Sequence, residues 1–319
     1  MIIQSRIPLT FRADGHFRIL MVSDIQEKPE YDPRTPDALR ALIAKADPDL
    51  VIWGGDNADG RVLKTEEELR AYLRVMAAPM EEKNLPWAHV YGNHDYDVEV
   101  SGKRQNEIYA ELPHNISGTS PDGVPGASNY ALPIFDRAGG KPAYVVYCFD
   151  TMHKEAELRP GVTTASLLLP ERWKVMRKWE PLRFEQVMWY WNTSNELEAE
   201  CGGTVPAMAV MHVPPYEFDL AVQNPTETGL RGETDEKLQC GVLNSGVFAA
   251  MVERGDVNVI GAGHLHADTF DATVAGIRCC LDGCGGYQPK SKEDRRGGRI
   301  FDVSLDGTVQ TEMIRYIDL

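Results

Sequence analysis

Side chains that can bind a metal ion follow several short apolar runs of this chain. They are Asp24, Asp56 with Asn57, the quartet Gly92-Asn93-His94-Asp95, His212, and the pair His264 and His266. Carboxylate, amide and imidazole donors together suit Mn²⁺, Zn²⁺ or iron, whereas a set of thiolates would indicate a different site. One carboxylate can bridge two ions, and two ions about 3.5–4 Å apart can clamp the attacking and leaving oxygens of a phosphoryl displacement. The residue types therefore predict a metal site suited to phosphoryl transfer.

Each of these residues, taken alone, has a simpler explanation. A strand-end aspartate such as Asp24 is more often a helix cap or a turn former. Asn93 beside Gly92 is typical of a left-handed turn, and a lone strand-end histidine such as His212 is typically structural. Two histidines at i and i+2 of a strand share a face whatever their role. Their joint occurrence, each at the end of an apolar run, favours the metal site.

The elements that carry these side chains are predicted to be buried strands. Six apolar or β-branched runs have the length and the flanking glycines of strands rather than of helices. They are 17–24, 49–56, 87–95, 143–150, 206–212 and 257–266. Open α/β sheets bind ligands at the carboxyl ends of their strands, which is where the polar side chains fall.

Helical patterns separate these runs, over 35–48, 64–79, 181–200 and 244–255. In the first, Thr35 is the expected N-cap, Pro36 takes the first helical position, and the helix is expected to stop before Pro48. In the second, acidic residues occupy the first turn, where the helix dipole favours them. The alternation of strands and helices predicts an α/β protein with covered sheets.

The remaining segments are predicted to belong to the same domain, which spans residues 1–319. The tail, over 268–283 and 297–317, has the pattern of successive antiparallel strands joined by short turns. Residues 97–135 and 151–180 show little periodicity and are interpreted as long excursions, which are usually functional or disordered. Among the other histidines, His153 is a weaker candidate for the site.

The composition excludes some classes of partner. The 319 residues carry a formal net charge of −15, which repels polyanions, so no nucleic acid polymer is expected to bind. No stretch approaches the roughly 18 consecutive apolar residues of a membrane helix. The N-terminal residues show no signal peptide, so the expected location is cytoplasmic. All six cysteines lack zinc-site spacing and are expected to be free, mostly buried thiols.

The motifs SDIQ, GGDN, GNHD, MH and GHLH, in this order, resemble the signature of the calcineurin-like metallophosphoesterase superfamily. The match runs from residue 17 to about 290. Residues 242–266, followed by the glycine-rich DGCGGYQP, resemble especially a purple-acid-phosphatase-like branch. The resemblance implies a mixed α/β fold of four layers, two mixed β-sheets packed face to face with helices outside. The antiparallel tail would complete the second sheet.

The resemblance also implies roles for the metal-binding side chains. It assigns Asp24, Asp56 and His266 to one ion and Asp56, Asn93, His212 and His264 to the other, with Asp56 shared. His94 would then contact the phosphate and protonate or stabilise the leaving oxygen, while a metal-bound hydroxide attacks. Asp95 has two open interpretations: it forms a turn, or it orients His94 without binding a metal ion itself.

Gln26 departs from the superfamily, which has a histidine ligand at this position. Its amide oxygen can coordinate a hard cation but is a weaker donor than imidazole towards zinc or iron. Because Asp24 and Gln26 are two residues apart in a predicted strand, both are expected on one face. The motif GGDNADG also lacks the tyrosine that colours the purple enzymes. We therefore expect no purple chromophore and a bias towards Mn²⁺ or Mg²⁺ at one position.

Two functions remain open at this point. The first is a binuclear phosphohydrolase that uses two divalent or trivalent ions, Mn, Fe, Zn or Mg, on small phosphorylated substrates, either phosphomonoesters or small phosphodiesters. The second is a catalytically weak or inactive relative that acts as a binding or regulatory module, its first metal position having decayed at Gln26. No membrane partner is expected, and the pattern does not indicate an oligomeric state.

Overall fold

The strands of the protein form two mixed β-sheets. The computed structural model describes residues 6–138, 140–152 and 179–319. In chain order its strands are β1 (Leu9–Thr10), β2 (His16–Val22), β3 (Leu50–Trp53), β4 (Trp87–His89), β5 (Tyr130–Phe135), β6 (Pro142–Cys148), β7 (Ala207–Met211), β8 (Val257–Ala262), β9 (Asp271–Val274), β10 (Ile277–Leu281), β11 (Gly297–Ser304) and β12 (Val309–Arg315). Each of the six apolar runs forms a strand, so that prediction is confirmed.

One sheet has the order β12-β11-β2-β3-β4 and the other the order β1-β5-β6-β7-β8-β10-β9. In the first, β2, β3 and β4 are parallel, so their carboxyl ends meet at one edge. In the second, β6, β7, β8 and β10 are parallel. The polar residues that follow β2, β3, β4, β7 and β8 therefore lie at neighbouring strand ends.

The tail divides between the two sheets, so the prediction that it completes a single sheet is wrong. The antiparallel hairpin of β9 and β10 joins the seven-stranded sheet, because β10 pairs in parallel with β8. The antiparallel pair of β11 and β12 joins the other sheet beside β2. Residues 282–296 cross from one sheet to the other.

Helices cover the outer face of each sheet. They are α1 (Arg34–Ala46), α2 (Glu66–Met76), α3 (Ala78–Glu81), α4 (Gly102–Tyr109), α5 (Phe184–Cys201), α6 (Glu217–Gln223) and α7 (Val247–Arg254). The first four pack on the five-stranded sheet and the last three on the seven-stranded sheet. A third core, with Ile19, Met21, Val210 and Phe301 among its members, lies between the sheets. The predicted four-layer α/β architecture is confirmed.

The cap of α1 differs from the prediction. Thr35 lies inside the helix, which begins at Arg34 after Pro33. Its hydroxyl donates to Oε1 of the buried Glu27 over 2.7 Å, so a tertiary partner replaces the capping bond. The predicted stop before Pro48 is confirmed, since the helix ends at Ala46.

Residues 97–135 are more regular than predicted, because they contain α4 and β5. The helix has few apolar residues to reveal a period, and Pro133 interrupts the pattern of the strand. Of the second predicted excursion, 153–178 with His153 lie outside the described residues. None of the described helices is long and apolar enough to cross a bilayer. All six cysteines are unpaired, as expected.

Candidate metal centre

The loops after β2 and β3 are joined by main-chain hydrogen bonds. The N–H of Asp24 donates to the carbonyl of Gly55 over 2.9 Å, and that of Gln26 donates to the carbonyl of Asp56 over 3.0 Å. Asp24, Gln26 and Asp56 all have a positive φ, of 54°, 38° and 48°. The strand ends at Val22, so the expectation that strand alternation places Gln26 beside Asp24 is wrong. Turn geometry brings both residues to this edge instead.

Two groups of candidate ligands meet at this edge and share one carboxylate. One group is Asp24, Asp56 and His266, and the other is Asp56, His212 and His264. Within each group the ligand atoms lie within 4.8 Å of one another. The structure thus brings together five of the residues that the sequence singled out, and Asp56 lies between the two groups.

Several buried atoms at this edge have no hydrogen-bond partner among the described residues. They are Oδ1 of Asp24, Oδ1 of Asn93, Nε2 of His212 and Nε2 of His264, although Oδ1 of Asp24 and Nε2 of His212 lie within ion-pair range of His266 and Asp56, at 3.1 and 3.3 Å. Leaving a buried polar atom without a partner costs about 1–3 kcal/mol. Four such atoms from four different loops fit a site that binds cations, because oxygen and imidazole nitrogen are ligands that divalent metals accept.

The other nitrogens of two histidines are held by main-chain carbonyls. Nδ1 of His212 lies 3.0 Å from the carbonyl oxygen of Gly54, and Nδ1 of His266 lies 3.2 Å from that of Lys290. Such bonds fix the tautomer of a histidine and direct Nε2 to the metal. Nε2 of His266 lies 3.1 Å from Oδ1 of Asp24.

The GHLH histidines do not lie on a strand face. The strand β8 ends at Ala262, and His264 has a φ of 74° in the turn that follows. The main-chain N–H of His264 donates to Oδ2 of Asp24 over 2.9 Å. Strand geometry therefore does not place these two histidines on one face, contrary to expectation, and contact with the β2 loop positions the turn instead. The ring of His264 packs edge-on against Trp179, with centroids 4.4 Å apart.

Gly92 allows the GNHD loop to approach the shared carboxylate. A Cβ at this position would lie 2.3 Å from the main-chain nitrogen of Asp56 and 2.4 Å from its Oδ1. Real Cβ atoms do not come so close to other heavy atoms, so any larger residue would push the two loops apart. The glycine in this motif is required by the packing of the site.

His94 and Asp95 have different partners. The main-chain N–H of His94 donates to Oδ1 of Asp56 over 2.7 Å. The Asp95 carboxylate accepts from the main-chain N–H groups of Gly92, Asn57 and Ala58. It therefore joins the two ligand-bearing loops, whereas the ring of His94 contacts Asp97, with 2.7 Å between Nδ1 and Oδ2.

Comparison with known proteins identifies the family. Residues 17–268 match the model of the calcineurin-like phosphoesterases. The chain belongs to this family. It is 29% identical to the probable inactive purple acid phosphatase 14 of Arabidopsis thaliana, over 95% of this chain and 79% of that protein. It is 24% identical to phosphatase DCR2 of Saccharomyces cerevisiae, over 92% of this chain and 52% of that protein.

The fold of this calcineurin-like phosphoesterase is shared with solved structures. A dimetal phosphatase from Danio rerio superposes with a TM-score of 0.58 at 13% identity, over 94% of this chain and 99% of that one. At this identity the likeness concerns the fold alone. It agrees with the two mixed sheets and outer helices described above.

Charge governs protonation at the candidate site. Burial lowers the pKa of His212, but Asp56 and Asp24 beside it outweigh burial and raise the pKa to about 10. Burial is likewise outweighed by Asp24 at His266, whose pKa rises to about 9. The pKa of Asp56 changes in the opposite direction. Burial alone would raise it, but His212 lowers it by more, so the pKa lies below its usual range. Without a metal, the two histidines therefore carry the positive charge that offsets the carboxylates.

Two residues near the site were not singled out by the sequence. Asp97 contacts the ring of His94. Its position three residues after His94 in the motif GNHDYD is the feature of the sequence that could have identified it. The hydroxyl of Ser23, behind the Asp24 loop, donates its one hydrogen to the Asp282 carboxylate, with Oγ 2.6 and 2.7 Å from the two oxygens. Burial raises the pKa of Asp282 to about 7.

Gln26 is buried in the loop whose main chain is hydrogen-bonded to that of Asp56. Its side chain is 3% exposed, and its Nε2 has no hydrogen-bond partner among the described residues. The main chain of Gln26 is held by Asp56, as described above. Whether its amide oxygen is a ligand stays a prediction.

Proposed function

We propose that this protein is a binuclear metal-dependent phosphohydrolase that cleaves phosphomonoesters or small phosphodiesters. The observation that carries the proposal is the position of Asp56, common to two groups of candidate ligands. A carboxylate placed between two cation positions can serve as a ligand to both ions. The dimetal phosphatase whose fold this chain shares supports the same number of ions.

In this proposal the side chains divide between the two ions. Asp24, Asp56 and His266 hold the first, with Gln26 in or beside its coordination. The second ion is held by Asp56, Asn93, His212 and His264. When bound, such ions supply a strong nucleophile from water at neutral pH and neutralise charge on the phosphoryl oxygens. We propose Mn²⁺ or Mg²⁺ for the first position, because an amide oxygen suits hard cations.

His94 acts on the leaving group. Its main-chain N–H donates to Oδ1 of Asp56, the carboxylate common to both candidate ligand groups, so the residue lies beside the proposed metal centre. From this position it contacts the phosphate and hands a proton to the leaving oxygen. A proton delivered in the transition state typically accelerates a reaction by about 10²–10⁴-fold.

Small substrates are favoured over polymers by charge. The chain has 48 acidic and 33 basic residues, which gives the net charge of −15. A long polyanion would meet this field along its whole length, whereas a single phosphate meets only the cation site.

The second candidate is a binding or regulatory module. Two observations favour it: the relative from Arabidopsis is named probably inactive, and Gln26 replaces the usual histidine. Against it stands His94, whose main chain and ring are both anchored. A module that only bound metal or phosphate would not need this arrangement.

A metal analysis combined with a hydrolysis assay separates the two candidates. We would strip the protein, reload it with Mn²⁺, Mg²⁺, Zn²⁺ or iron, and assay p-nitrophenyl phosphate beside bis-p-nitrophenyl phosphate. The Asp56→Ala variant, purified identically, sets the contaminant background. Turnover above that background supports the phosphohydrolase, and the preferred substrate distinguishes monoesterase from diesterase. Full metal content without turnover on either substrate would favour the second candidate, a binding or regulatory module.

A further inference from the structure

We infer that Asp97 is the positioning residue of His94: it fixes the ring so that Nε2 is the nitrogen that delivers a proton. The inference rests on the proposed function and extends it to a residue with no assigned role. Its basis is the contact of 2.7 Å between Nδ1 of His94 and Oδ2 of Asp97. A carboxylate can only accept in such a contact, so Nδ1 must carry the hydrogen.

Asp97 is itself held in place by the fold. It ends a 3₁₀ turn (Asp95–Asp97) that begins directly after His94, and its N–H donates to the carbonyl of His94 over 3.1 Å. The ammonium of Lys64 donates to the carbonyl of Asp97 over 2.9 Å. Gly60 packs against the same turn, where a Cβ would lie 2.2 Å from the carbonyl oxygen of His94. The turn cannot shift without moving the loop that carries Asp56.

Asp59, on the loop that carries Asp56, has a different partner. Oδ1 and Oδ2 of Asp59 accept from Nε and Nη2 of Arg61, over 2.8 and 2.9 Å. Asp59 is therefore engaged with the guanidinium, whereas Asp97 contacts Nδ1 of the histidine ring.

His94 is consequently anchored at both ends. Its main-chain N–H is fixed on Oδ1 of Asp56, and its ring is fixed on Asp97. In the proton transfer, the bond between Nε2 and hydrogen breaks and one between hydrogen and the leaving oxygen forms. The ring becomes neutral and keeps its hydrogen on Nδ1 towards Asp97. No other proton of the ring can leave without breaking the contact with Asp97.

The test is the substitution Asp97→Asn, which keeps the shape but removes the charge. An amide can donate as well as accept, so it no longer dictates which ring nitrogen carries hydrogen. We expect turnover of an alkyl phosphate to fall about 10–100-fold, the usual cost of losing a group that orients another. Turnover of p-nitrophenyl phosphate should change far less, because its leaving group needs no proton.

Two further variants separate positioning from general damage. Glu99→Gln is the matched control, since Glu99 lies two residues away and pairs loosely with Lys64 at 3.7 Å; we expect no effect on either substrate. In a His94→Asn background, Asp97→Asn should cost nothing more, because residues that act as a unit are not additive. Equal losses on both substrates, or additive losses in the double variant, would overturn the inference.

A spectroscopic measurement tests the contact independently of turnover. In Mg²⁺-loaded protein labelled with ¹⁵N-histidine, the signals of His94 are identified by their loss in His94→Asn. We expect a protonated Nδ1 in the wild type and a different or mixed state in Asp97→Asn. A wild type without hydrogen on Nδ1 would overturn the inference. If the wild type hydrolyses nothing, the proposed function fails, and this spectrum still decides whether Asp97 holds the ring.

Discussion

The main-chain N–H of His94 donates to Oδ1 of Asp56 over 2.7 Å. The histidine proposed to face the leaving group is therefore attached to the carboxylate proposed to bridge the two ions. Loss of the carboxylate should disturb both functions, whereas loss of the imidazole should disturb only one.

Asp56→Ala should empty or weaken both metal positions. The variant removes the one side chain common to both groups of ligands. Elemental analysis after dialysis should show well under two ions per chain, while the surface variant Asp122→Ala should match the wild type. Full occupancy by two ions in Asp56→Ala would show that Asp56 is not shared.

His94→Asn should retain both ions and slow turnover. Its main-chain bond to Asp56 survives the substitution, but the proton donor is gone. We expect a loss of about 10²–10⁴-fold on poor leaving groups and a smaller loss on p-nitrophenyl phosphate. Rates across a series of leaving groups measure this. A variant that loses its metals, or is equally impaired on every substrate, would contradict the role.

Gln26→His should tighten the ion held by Asp24 and His266 and shift its preference towards zinc or iron. Imidazole is the better donor for these metals, and residue 26 is buried in the loop whose main chain is hydrogen-bonded to that of Asp56. Chelator competition on the wild type, Gln26→His and Gln26→Ala measures the effect. If Gln26 only hydrogen-bonds a water, Gln26→Ala will keep its affinity and change mainly the pH profile. Identical affinities and preferences in all three proteins would place the residue outside the site.

Metal uptake near pH 7 should release about two protons per chain. In the metal-free protein, the raised pKa values of His212, about 10, and His266, about 9, keep both imidazoles charged at neutral pH. A metal takes the neutral ring, so binding expels those protons and the apparent affinity rises with pH. Above the higher pKa the release should vanish. Calorimetry in buffers of different ionisation enthalpy counts the protons, and uptake without release at neutral pH would contradict the charge assignment.

Much of this architecture could be predicted from sequence because the information is local. Buried parallel strands appear as short continuous apolar runs, and ligands of α/β proteins cluster where such strands end. The helix Val247–Arg254 is capped by Gly255, the residue at which the sequence pattern over 244–255 stops. Asp24, Asp56 and the three histidines could therefore be placed together before their distances were known.

The errors arose where distant residues decide local structure. Thr35 resembles a cap, but Glu27 takes its hydroxyl. The left-handed conformations of Asp24, Gln26 and His264 depend on contacts between loops, which no local pattern records. The division of the tail depends on β10 pairing with β8, a non-local register.

The most direct test of the central claim is turnover of p-nitrophenyl phosphate as Mn²⁺ is added stepwise to metal-free protein. We expect turnover to rise with occupancy and to reach its plateau at two ions per chain. The Asp56→Ala variant should stay at background throughout the titration. Binding of two ions with no turnover above that background would show that the protein is not a binuclear phosphohydrolase.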